Sequence, residues 1–122
     1  HWGLVPDMGL SVTARDVLPA DRLAELVYTG RSVDAPEALA LGLVTAIADD
    51  PLARARETAA VIAGHSPDAI RAAKRLLREG TALPAGDALA LEARLQGALI
   101  GSPNQAEAVR ARIARRDPEF AD

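Results

Sequence analysis

Among the side chains able to move a proton, hold a metal or attack a carbonyl, Asp7 stands in the setting best suited to chemistry. It lies in Gly3-Leu4-Val5-Pro6-Asp7-Met8-Gly9, where Pro6 presets φ for a tight turn, Asp7 can bond its own downstream amides, and Gly9 tolerates positive φ. Neighbours such as Leu4, Val5 and Met8 would desolvate that carboxyl group and favour its protonated form, which suits proton transfer. The position equally suits a plain helix cap, because Leu10 to about Val17 reads as a helix beginning on this turn. Exposed N–H groups at that start would favour negative charge nearby.

The remaining reactive types lack a working arrangement. His1 and His65 lie far apart in the chain, and neither has an HxxxH or HxxE spacing that would hold a metal. Ser11, Thr13, Ser32, Ser66 and Ser102 lack a nucleophile-elbow context, and Ser32, Ser66 and Ser102 read as helix starts. No GxGxxG or Walker motif is present, so a nucleotide cradle is unsupported. Asp34 and Glu37 read as a capping box, and Glu92 and Glu107 as carboxylates on helix faces, open to solvent or to an ion pair. Arg110, Arg112, Arg115 and Arg116 recur at helical spacing and read as a solvated face.

These residues must be positioned by helices. The chain is 49% hydrophobic but only 2% aromatic, so its apolar content is mostly Ala, Leu and Val, a composition for close-packed helices. With 122 residues, one modest domain or a piece of one is the bound, burying roughly two thirds of its unfolded surface. A net charge of -3 argues against nucleic acid as a main partner. Without cysteine there is neither disulfide framework nor thiolate metal site, in keeping with a reducing cytosol. No apolar stretch is long enough to span a bilayer and no secretory signal opens the chain, so a soluble, cytoplasmic protein is expected. The start on His1, without leader or N-terminal element, reads as a fragment.

Punctuation divides the chain into six or seven helices and one strand. Pro19 to Tyr28 carries Leu23, Leu26 and Val27 on one face. Gly30 ends that helix, Asp34 opens a short one over Ala35 to Leu41, and Gly42 closes it in a left-handed turn. Leu43 to Ile47, bounded by Gly42 and by Asp49-Asp50-Pro51, reads as a brief strand. Pro51 then opens a helix to about Gly64, Ser66-Pro67 one reaching Gly80, Asp87 one reaching Ile100, and Ser102-Pro103 one that stops near Asp117-Pro118. The expected organisation is a first part over 1–48 and a helical part over 49–122. The narrow Ala-rich stripes exceed what a small bundle must cover, so they should pack on a further domain or another subunit.

Three further segments sharpen this picture: Tyr28-Thr29-Gly30-Arg31, Ala35-Pro36-Glu37-Ala38-Leu39-Ala40-Leu41-Gly42-Leu43-Val44, and the closing Arg116-Asp117-Pro118-Glu119-Phe120. With Gly3 to Gly9, Ala73 to Leu77 and Leu89 to Glu92, in this order and spacing, the chain resembles the C-terminal half of the enoyl-CoA hydratase/isomerase (crotonase) family. The resemblance covers nearly the whole chain. It implies a mainly α chain with one short β-strand, the C-terminal portion of a crotonase-like α/β spiral including its helical trimerisation region, with 1–48 closing the core and 49–122 mediating oligomerisation.

The implied chemistry concerns acyl-CoA thioesters, with coenzyme A entering as part of the substrate and no separate cofactor. Two backbone N–H groups hold a thioester enolate in that family, and the segment supplying one of them lies outside this chain. Asp7 stands where isomerases of the family carry an acidic proton shuttle and hydratases tend to carry glycine, with Leu4, Pro6 and Met8 against the acyl chain. Isomerase and hydratase both remain open, because this Pro-Asp pair occurs widely in the family. The sequence departs from the family at Gly9-Leu10, at Arg15-Asp16, and at Arg112, where a Phe is common. The implied partners are the acyl-CoA substrate and further copies of the chain, as a trimer or dimer of trimers. A helical self-association module without catalysis of its own is the alternative.

Overall fold

The computed structural model describes residues 3–121, and every regular element among them is helical. Seven α-helices succeed one another: α1 (Leu10–Thr13), α2 (Ala20–Thr29), α3 (Ala35–Leu41), α4 (Pro51–Ala63), α5 (Pro67–Glu79), α6 (Ala85–Leu99) and α7 (Pro103–Ala114), with a 3₁₀ turn, Gly80–Ala82, between α5 and α6. The chain divides into two compact units, His1–Pro51 and Leu52–Asp122.

The expected strand at Leu43 to Ile47, and with it the α/β spiral, is not present among the described residues. A strand needs a neighbour to receive its amides, and here the first of those amides turn back instead. Gly42 is left-handed (φ 80) and donates to Ala38 and Leu39, and Leu43 N–H also reaches the Ala38 carbonyl at 2.8 Å. The end of α3 thus consumes the donors that would have started a ladder. Space around Gly42 is open, so the backbone angle alone calls for glycine there.

In the first unit, Ala14 and Leu18 are buried. Arg31 links the two helices on either side of it: Nε donates to Glu25 Oε1 at 3.2 Å, while Nη1 and Nη2 donate to the two oxygens of Glu37 at 2.8 and 2.7 Å. Its hydrogen bond to Glu37 raises the Arg31 guanidinium, and the same bond lowers the Glu37 carboxyl. Half of the expected capping box therefore forms. Asp34 Oδ1 accepts from Glu37 N–H at 2.9 Å, whereas the Glu37 side chain goes to Arg31.

In the second unit, α5 packs on both α6 and α7, and the 3₁₀ turn joins α5 to α6. Ser66 caps α5 and Ser102 caps α7, each with proline next in the first turn. Ser32, expected as a helix start, does not cap α3, whose N-cap is Asp34. The apolar centre is small, with Leu91 only 2% exposed and Ala111 similarly buried. No residue of α4 is buried, and Leu52, Val61 and Ile62 stand out from it.

The accessible surface is 9845 Å². A compact monomer of this length exposes about 6,200 Å², and even two separate bodies of these sizes would expose only about 7,500 Å². Against about 18,000 Å² for the unfolded chain, folding removes a little under half rather than the expected two thirds. Apolar side chains left exposed on both helices and loops, Tyr28, Val61 and Met8 among them, contribute to the difference.

Candidate functional site

The loop before α1 is shaped by glycine at both ends, Gly3 (φ 67) and Gly9 (φ 85). Gly9 N–H donates to the Asp7 carbonyl, a tight turn across Met8, and the Gly9 carbonyl then accepts from Val12 and Thr13 N–H at 3.0 and 2.9 Å. The N-cap of α1 is Gly9 itself and no side chain caps it, so Asp7 is not spent as a cap. Helix α1 is a single turn of four residues, too short to present an anion site. Beyond it the chain turns irregularly to Leu18 rather than staying helical through Val17, as its sequence suggests.

Asp7 is exposed, and so are the neighbours expected to desolvate it: Leu4 at 85%, Met8 at 98%, and Val5 beside them. Two hollows flank the loop. One, of about 290 Å³, is lined by Pro6, Asp7, Met8, Leu10 and Thr13. The other, of about 350 Å³, is mostly apolar and shares Pro6 and Leu10 with the first, adding Leu18, Leu23, Val27 and Tyr28 among its walls. Pro6, Asp7 and Met8 are thus brought together, whereas Leu4 lines neither hollow. In the sequence the second hollow is signalled only by the Leu23 and Val27 stripe of α2, which reads equally well as a packing face.

A carboxylate at the rim of an apolar recess can take a proton from a carbon acid seated there, provided the substrate excludes water. Within the described residues no three His, Cys, Asp or Glu side chains converge as a metal-binding group. His65 is exposed beside the Ser66 cap, and His1 lies outside the described residues. Among the described residues no helix is long and apolar enough to cross a membrane.

The densest polar cluster is elsewhere, on α7. Glu107, only 8% exposed, accepts from Arg116 Nη1 at 2.6 Å, from Glu119 N–H at 3.1 Å and from Arg110 Nη2 at 3.2 Å. Arg116 and Arg110 are therefore ion-pair partners, not members of a purely solvated face. Arg112 and Arg115 remain exposed. The Arg116 hydrogen bond leads in holding the Glu107 carboxyl down to about 2 from an ordinary 4.5, helped by the Glu119 amide and by Arg110. A carboxyl group lowered in the folded state stabilises it fully above the unfolded value and loses that contribution as pH falls through the folded one. Carboxyl-carbon NMR should accordingly find Glu107 titrating near 2, with its share of stability disappearing between about 4.5 and about 2.

The sequence model of the enoyl-CoA hydratase/isomerase family matches residues 1–122. Enoyl-CoA hydratase EchA19 of Mycobacterium tuberculosis is 30% identical over 121 residues, covering 98% of this chain and 46% of the relative. "Probable enoyl-CoA hydratase echA8" of Mycobacterium bovis is 34% identical over 120 residues, covering 97% and 47%. Among solved structures, enoyl-CoA hydratase from Bacillus anthracis superposes with a TM-score of 0.91 at 28% identity, over 97% of this chain and 46% of the other. EchA1 from Mycobacterium marinum, an enoyl-CoA hydratase, gives 0.88 at 27% identity, over 97% and 48%. The chain spans about half the length of the curated relatives it matches. A family match that runs the full length of the chain, with relatives agreeing in sequence and backbone, places this protein in the enoyl-CoA hydratase/isomerase family.

Proposed function

We infer that this chain is part of an enzyme that processes acyl-CoA thioesters by hydration or double-bond migration. The observation that carries this reading is the place of Asp7, a carboxylate lining a small hollow that shares Pro6 and Leu10 with a larger apolar one. The apolar recess takes the acyl chain, with Pro6 and Met8 beside it. In the isomerase form, an Asp7 oxygen accepts a proton as the C–H bond breaks. The electron pair passes into the enolate of the thioester, and the same proton returns to a carbon further along the chain. Backbone N–H donors holding that enolate oxygen belong to the rest of the fold. The thioester is the substrate, and no metal or further cofactor enters the scheme. A cytoplasmic enzyme suits a chain without cysteine.

A second reading, self-association without catalysis, is supported by an accessible surface of 9845 Å², well above that of a compact chain of this length. The two readings are compatible in a complete enzyme built as a trimer or a dimer of trimers, with residues 49–122 as the assembling part. One pair of assays separates them. The 122-residue chain alone is expected to show no hydration or isomerisation of enoyl-CoA and to run above monomer size in light scattering. Joined to the remaining half of the fold, it is expected to turn over. Turnover by the isolated chain would overturn the shared-site reading, and an inactive but well-assembled complete chain would leave only the assembly role.

A further inference from the structure

Helix α7 ends at Arg115, which is left-handed (φ 52) and is the non-glycine residue with positive φ among the described residues. A side chain disfavours that conformation, and the turn is closed by backbone bonds back into α7, Arg115 N–H donating to the Arg112 carbonyl at 3.3 Å and Arg116 N–H to the Ala111 carbonyl at 3.1 Å. Beyond the turn runs an irregular segment, 117–121, whose Asp117, Glu119 and Ala121 are exposed while Pro118 and Phe120 are half-buried.

Two side chains of α7 hold this segment. Asn104 clasps its far end by both edges, Nδ2 donating to the Ala121 carbonyl at 2.8 Å and Oδ1 accepting from Ala121 N–H at 2.9 Å. The same Nδ2 reaches Asp68 Oδ2 at 2.8 Å, at the start of α5. Glu107, one turn further along α7, takes Glu119 N–H and Arg116, and Arg116 Nη1 in turn donates to the Asp117 carbonyl at 2.8 Å. Asn104 and Glu107 are 6% and 8% exposed. Polar groups this deeply buried are costly to leave without partners. Losing Ala121 would strip Asn104 of two bonds at once, and losing Glu119 and Arg116 would leave Glu107 to Arg110 alone. Each tie therefore supports the other.

We propose that residues 117–121 form a strap that opens and closes as one unit about a hinge at Arg115, and that its closure locks α7 against the start of α5. The strained hinge and the exposed flanks put the strap at the low-stability end of the fold, so it opens without the rest of the unit unfolding. The shared partners make the opening all-or-none across the segment.

Amide hydrogen exchange on the 122-residue chain tests this. The Glu119 and Ala121 amides should exchange with protection equal to within about twofold, and both faster than interior α6 amides. Asn104→Ala should accelerate both by about tenfold or more and leave α6 unchanged. If that variant loses α6 protection as well, Glu107→Gln gives the same reading with a smaller perturbation, again expected to accelerate both amides together. Arg115→Gly relieves the hinge and should slow both. Acceleration of Ala121 alone in Asn104→Ala, or of Glu119 alone in Glu107→Gln, would overturn the single-unit strap. An Arg115→Gly chain with neither amide slowed would remove the hinge from it.

Discussion

Replacing Asp7 with Asn in the complete enzyme is expected to lower turnover of an enoyl-CoA substrate by about 10²- to 10⁴-fold, the usual worth of a positioned general base. The substitution keeps the shape of the side chain and removes its ability to accept a proton as a carboxylate. Because Asp7 is exposed and caps no helix, the folded chain has no structural use for its charge. Assembly and thermal stability should therefore match the parent. The measurement is steady-state turnover, with hydration and double-bond migration assayed separately. Loss of migration alone would assign Asp7 to the isomerase chemistry, loss of both would make it a shared base, and unchanged turnover in both would remove it from the mechanism.

Leu91→Ala is expected to lower the unfolding free energy by about 2–5 kcal/mol, since truncating a buried leucine forfeits its transfer energy and leaves a cavity. Among the described residues Leu91 is the largest fully buried side chain, in a core with few other members. Total stabilities of only about 5–15 kcal/mol make such a loss severe. Leu77 provides the contrast at 70% exposed, where the same truncation should change stability by less than about 0.5 kcal/mol. Denaturant titration of both variants checks the pair. Equal losses would show that the stability centre is not around Leu91.

The helices are legible in the sequence because their ends are local events. Ser66-Pro67, Ser102-Pro103 and Asp34 with its glycine partner Gly42 announce starts and stops within a few residues, and the structure uses each as a cap. Helix α6 begins at Ala85, before the expected Asp87, with Pro84 as an N-cap that makes no side-chain bond and Gly86 tolerated inside. The strand at Leu43 to Ile47 fails for the opposite reason. An extended segment exists only with a partner, and nothing local can say whether that partner is in the chain. At the site, Asp7 is visible from its Pro/Gly turn, while the apolar hollow depends on how the loop, α1 and α2 meet. The pairing of Glu107 with Arg116 and Glu119 is hidden likewise, because it needs the chain to double back across the end of α7.

The large residual surface of the folded chain governs how it responds to heat and denaturant. Denaturant sensitivity and heat capacity of unfolding both scale with newly exposed area, and a chain already showing 9845 Å² has less left to expose than its length suggests. Its unfolding curve in isolation should be shallow and its stability nearly flat with temperature. Steep, cooperative melting would arrive only once the bare apolar faces are covered.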